Sequence, residues 1–256
     1  MCEGPGFGGG ETAIPMESVE ATVLDLEGAP VVGIQMLLCG LNICLDPKET
    51  DSEGHVTIVA PDPPKNMTAP AFKFGDGFEY AKFAMPLTEA VTVFPTIVTA
   101  KLPSFAEGQK LEAGTEVTSG DVTLTLAEGT DIKIDCLFYE DAETHGFRAT
   151  TIPIADAPPA VDASLGLELL YAVAPVETSF CPAAKVTIPN SAGWDPSAEV
   201  EFFVHGVDVG QHYAPYAGWA KMSAGQVSAD GLTVSTSPDG GMSVLTVFGV
   251  RLKGAN

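Results

Sequence analysis

The sequence predicts an all-β protein: two β-sandwich domains in tandem behind a flexible, glycine-rich tether. Three observations lead there. Runs of β-branched and aromatic residues recur along the chain, each bounded by Gly, Pro, Asp or Asn, while helical periodicity is nearly absent. The opening, Met1-Cys2-Glu3-Gly4-Pro5-Gly6-Phe7-Gly8-Gly9-Gly10, is too rich in glycine to offset the backbone entropy that folding removes. Around Met85 to Ala90, Pro86 and a polar interval interrupt the strand pattern before a new β run begins.

Taken in order, residues 1–16 form the tether and residues 17–87 the first domain. The first domain's strands are read from Val19-Glu20-Ala21-Thr22-Val23-Leu24, Val31-Val32-Gly33-Ile34-Gln35-Met36, His55-Val56-Thr57-Ile58-Val59 and Phe78-Glu79-Tyr80-Ala81-Lys82-Phe83. The second, larger domain, residues 88–256, repeats the pattern at 121–126, 131–135, 200–204 and 244–248. Its clearest hairpin is Gln226-Val227-Ser228-Ala229-Asp230-Gly231-Leu232-Thr233-Val234, where Asp-Gly supplies the tight turn between alternating strands. The proline-rich stretch 152–159 reads as a surface crossover within this domain, because Cys136 and Cys181 flank it. A short helix is expected around Ala163 to Ala172, although its leucines would serve a strand equally well.

Charge narrows the function. With 34 acidic against 12 basic residues and a net charge of -22, the chain repels phosphate backbones and anionic lipid surfaces, so nucleic acid is not expected as a partner. No run reaches the roughly 18 apolar residues that span a bilayer, so membrane contact is expected only through the Cys2 end. The five cysteines divide into one plus four. A turn at Gly40 to Asn42 would bring Cys39 and Cys44 together, and Cys136 and Cys181, each in a strand-like segment, would bridge the second domain. Four paired cysteines fit an oxidising compartment; the alternative is four buried thiols in a cytosolic protein.

Three stretches carry resemblances. The cysteine directly behind the initiator, heading a mobile tether, resembles the start of a mature bacterial lipoprotein, which implies a lipid on Cys2 and display at the outer membrane or cell surface. The first domain carries Val23-Leu24-Asp25-Leu26-Glu27-Gly28-Ala29-Pro30-Val31-Val32-Gly33-Ile34-Gln35-Met36 and then Thr50-Asp51-Ser52-Glu53-Gly54-His55-Val56-Thr57-Ile58. This resembles the carboxypeptidase-regulatory-like, transthyretin-like β-sandwich, whose modules act as stalks or as adhesive and carbohydrate-facing accessories, and it implies nothing catalytic. In the second domain, Asp121 to Leu126, Phe147-Arg148-Ala149-Thr150-Thr151-Ile152-Pro153 and Tyr171 to Asn190 resemble bacterial surface β-domains related to the sandwich of netrin receptors, zonula occludens proteins and ankyrins. That likeness implies an Ig-like sandwich with a binding or structural role.

Candidate chemistry concentrates late in the chain. His205, Asp208 and His212 offer two imidazoles and a carboxylate to a divalent ion such as zinc. Tyr213, Tyr216 and Trp219, with Trp194, offer ring faces on which a sugar would stack. The loop Asp46-Pro47-Lys48-Glu49-Thr50-Asp51-Ser52-Glu53-Gly54 offers carboxylates to calcium without the alternating spacing of a helix-loop-helix site, so a turn on an acidic surface is the simpler reading. His145, beside Asp141 and Glu143, has no nucleophile near it in sequence. Gly-x-Ser-x-Gly, the phosphate-cradling Gly-x-x-x-x-Gly-Lys, a dinucleotide Gly-x-Gly-x-x-Gly and His-Glu-x-x-His are all missing. The sequence therefore points to a non-catalytic, exported binding or display protein with no cofactor, whose partners are surface proteins or glycans. One alternative is a structural subunit of an extracellular assembly, a homo-oligomer joined through sheet edges. The other is a metal-dependent enzyme using His205, Asp208 and His212.

Overall fold

In this computed structural model, residues 12–135, 139–209 and 213–254 are described, and they build an all-β structure punctuated by short 3-10 turns. The first strands are β1 (Ala13–Met16), β2 (Ser18–Leu24), β3 (Gln35–Cys39), β4 (Lys48–Glu49) and β5 (His55–Val59). They are followed by β6 (Lys65–Thr68), β7 (Ala71–Phe74), β8 (Phe83–Pro86) and β9 (Val91–Val98). One sheet has the order β5-β2-β9, a second the order β4-β3-β7-β8, and β1 pairs with β6. Alternation explains the layering: Val19, Ala21 and Val23 of β2 turn inward to meet Met36 and Leu38 of β3 and Phe72 and Phe74 of β7. The turn before β5 is fixed by Asp51, whose carboxylate accepts the N–H groups of Glu53 and His55, and by Gly54 at φ +75°. A Cβ on Gly54 would lie 2.3 Å from the Val23 carbonyl oxygen, so both the space and the left-handed backbone require glycine.

Two expected boundaries move. Residues 13–16, expected in the tether, form β1 because Ile14 and Met16 alternate inward and bury beside Met67. The first domain was expected to end at residue 87, yet β9 lies beside β2 in parallel register, from Ser18 opposite Val91 to Leu24 opposite Val98. The interval at Pro86 is thus a connection between the two N-terminal sheets, and buried Ile97 closes their core.

The later strands are β10 (Glu116–Ser119), β11 (Val122–Thr125), β12 (Asp131–Lys133), β13 (Arg148–Ile152), β14 (Leu169–Ala174) and β15 (Ser179–Pro189). Then come β16 (Glu199–His205), β17 (Trp219–Val227), β18 (Thr233–Thr236), β19 (Met242–Val244) and β20 (Phe248–Leu252). They form one sheet, β10-β11-β15-β18-β17-β16-β20-β14-β13, with β12 and β19 also on β15. The sheet curls until its ends nearly meet. There side chains replace a backbone ladder: Ser119 Oγ accepts the Ala149 N–H at 2.9 Å, and Thr151 donates to Asp121. The expected hairpin joins β17 to β18 through Asp230 and Gly231. The expected helix over 163–172 is instead a 3-10 turn at Ala163–Leu165 followed by β14, so its leucines do serve a strand.

Strand β14 explains why two independent cores do not form. All six of its residues are buried: Leu170, Ala172 and Ala174 pack into the core of the N-terminal sheets, while Leu169, Tyr171 and Val173 pack inside the curled sheet. An unbroken apolar run is what a strand covered on both faces requires. Ile152, Ala160 and Val247 join the same N-terminal core, so that core is built from both halves, beside a second core inside the curled sheet.

Candidate functional site

The contact between the halves also holds the densest buried charge of the described residues. In β7, Phe72 and Phe74 face the N-terminal core, so alternation turns Ala71 and Lys73 outward, and the register places Ala84 of β8 opposite Lys73. This outward face is covered by the segment after β16. Ala71, Ala84 and Ala217 pack together there, small side chains that let the backbones approach, with Tyr216 against them. Lys73 is 5% exposed and its Nζ meets the Asp208 carboxylate, 135 residues away in the sequence. The Tyr216 ring lies 5.4 Å from the same nitrogen, and its hydroxyl donates to the Cys39 carbonyl.

Lys82 and Glu177 complete the group. Burial lowers the Lys82 ammonium below the usual lysine range, opposed by the charges of Glu177, Asp208 and Asp135. Burial, helped by the Asp208 charge, pushes Glu177 up to about 7, against the pull of Lys82 and Lys73. Burial would also raise Asp208, yet the charge and hydrogen bond of Lys73, with Lys82 and the Val209 N–H, hold it below its ordinary value. A cleft of about 320 Å³ opens beside the lysines, lined also by Gln35, Leu37, Glu49 and Phe78. Arg148, 1% exposed, fixes the neighbouring loops by donating to the carbonyls of Phe78 and Pro103, with its guanidinium over the Phe105 ring.

His205 closes the other side of this contact. Its ring is fully buried: Nε2 accepts the Ala84 N–H at 3.1 Å, and Nδ1 donates to the Gly218 carbonyl at 3.0 Å. The ring also rests on Phe83 and Trp219. Burial drops it to about 4, so it is a neutral imidazole at neutral pH. Both nitrogens are thus taken by backbone, and Asp208 is held by Lys73, so the structure gives these two expected metal ligands separate structural partners. His212 lies outside the described residues, among which no cluster of three metal-ligating side chains occurs. In the acidic loop, Asp51 is engaged in its own turn.

The four aromatic residues expected as one sugar platform are divided among different packing sites. Trp194 and Tyr213 are buried in the curled sheet's core, with Trp194 Nε1 donating to Glu168. Tyr216 covers Lys73, and Trp219 packs against the N-terminal core while its Nε1 donates to the Ala160 carbonyl. The shared platform is therefore corrected; Trp219 alone lines an open groove of about 570 Å³, with Pro86, Pro159, Asp162 and Leu165. Of the cysteines, Cys39 and Cys44 are joined in a disulfide through the expected turn. Cys181 is also disulfide-bonded, while Cys136, its expected partner, and Cys2 lie outside the described residues.

Sequence reasoning missed Lys73, Lys82, Glu177 and Arg148. A signal was present in Ala71-Phe72-Lys73-Phe74 and Ala81-Lys82-Phe83, where lysine interrupts runs otherwise fit for burial on both faces. Fold and site define the class, an all-β protein whose two sheet systems meet at a buried charged contact. The chain matches no family model and no curated protein.

Proposed function

We propose that this chain is an exported, non-catalytic display and binding protein, held at the cell surface by a lipid on Cys2. In this reading two sandwich-like modules in tandem are locked at their contact and present loops and the Trp219 groove as one body to surface proteins or glycans. The observation that carries the export is cysteine chemistry: the Cys39–Cys44 bond and the oxidised Cys181 suit an oxidising compartment. Display by a stiff body is supported by β14, which belongs to both cores.

A second reading, a subunit of an extracellular assembly, is favoured by exposed valines on the β5-β2-β9 sheet. Val59, Val91 and Val93 are 65%, 47% and 66% exposed, and Ser18 has Val59 on one side and Val91 on the other. One measurement separates the two: the native and denatured masses of the protein isolated from its own cells. A monomer carrying a lipid increment on Cys2 is the expected result. Native multiples of the chain mass establish the assembly subunit instead, and an unmodified Cys2 refutes the lipid anchor.

A further inference from the structure

We infer that Lys73 and Asp208 are the partners of an intramolecular amide cross-link that joins the N-terminal sheets to the curled C-terminal sheet. The carboxylate oxygen of Asp208 lies 2.5 Å from Lys73 Nζ, and with a C–O bond of about 1.2 Å the nitrogen is within about 3.7 Å of Asp208 Cγ. That bound lies just outside the roughly 3–3.5 Å of a near-attack pair, so a small approach within the ion pair, with Lys73 held in place at 5% exposure, brings Nζ onto Cγ. Lys73 is fixed by strand β7 and roofed by Tyr216, so little further ordering is needed before the bond forms. The Asp208 side chain is 36% exposed, which leaves the water product a way out.

The chemistry needs a group that both accepts and returns a proton. Asp208 itself fills that role: its carboxylate, hydrogen-bonded to the Lys73 ammonium, takes the first proton, and its departing oxygen takes the second. One ammonium proton passes to the Asp208 carboxylate, leaving a neutral amine and a carboxylic acid. Nζ then bonds to Cγ, and the amine's second proton moves to the departing hydroxyl on the same carbon. The Cγ–O bond breaks and water leaves. One N–C bond replaces one C–O bond, nothing is oxidised or reduced, and no co-reactant is consumed.

The test is the mass of the full chain after reduction and denaturation, with a peptide map. With the Cys2 lipid set aside, the cross-linked chain is lighter than its sequence by one water, about 18 Da. Trypsin then yields segment 66–82, uncut at Lys73, joined to segment 186–221. Lys73→Arg and Asp208→Ala each restore the full sequence mass. A wild-type chain at full sequence mass, with cleavage after Lys73, overturns the inference. So does a water loss that maps to an Asp-Gly pair, Asp76-Gly77, Asp230-Gly231 or Asp239-Gly240, as a cyclic imide.

Discussion

Replacing His205 with alanine should destabilise the protein by about 4 kcal/mol, among the largest effects expected of any single truncation in this chain. Two losses add. The Ala84 N–H, on the outer edge of the sheet ending in β8, is left in a buried place without its acceptor, which costs roughly 1–3 kcal/mol. The vacated space between Phe83 and Trp219 adds a cavity term of similar size. The Gly218 carbonyl keeps the Gly206 N–H as a partner, so it adds little. Urea unfolding of the variant checks this; a change below about 1 kcal/mol would show that the imidazole is not a bolt between the halves. A metal-ligand role predicts the reverse pattern, lost metal with little lost stability.

The second large effect is in the pH dependence of stability. Glu177 sits at about 7 in the folded chain against an ordinary 4.5, so its contribution is complete below pH 4.5 and is lost as pH rises through 7. His205 runs the other way. Held at about 4 against an ordinary 6.5, it contributes fully above pH 6.5 and loses that contribution as pH falls through 4. Each amounts to on the order of 3 kcal/mol, and the slopes oppose one another between pH 4.5 and 6.5. Lys73, Lys82, Asp208 and Asp135 act on Glu177, but burial is the largest cause and remains when Lys73 and Asp208 are joined. The native protein should therefore have nearly level stability across that window. Glu177→Gln should lose stability steadily on acidification from pH 6.5 to 4, read relative to its own value at pH 6.5. A variant profile as level as the native one would remove Glu177 from this role.

Much of the architecture was legible because it is local. Alternation gave β2 and β5, Asp230-Gly231 gave the last hairpin, and Gly40 to Asn42 gave the turn that joins Cys39 to Cys44. The part that was not legible depends on contacts distant in sequence. A parallel partner leaves no turn signature, so β9 read as the start of a new domain although it lies beside β2. The apolar run of β14 marked burial on both faces without saying that one face belongs to the N-terminal core. At the site, His205 and Asp208 drew notice as metal ligands, but the partners they have in the structure, Ala84 and Lys73, lie more than a hundred residues earlier. Trp194 and Tyr213 drew notice as aromatic residues near polar loops, whereas their ring area fills a core.

The central claim is that the two sheet systems behave as one body, joined by a shared core, His205 and the buried charges around Lys73. Scanning calorimetry of the intact, oxidised chain tests it most directly. The account predicts one cooperative transition whose calorimetric and van't Hoff enthalpies agree. Two resolved transitions, one for the N-terminal sheets and one for the curled sheet, would contradict it.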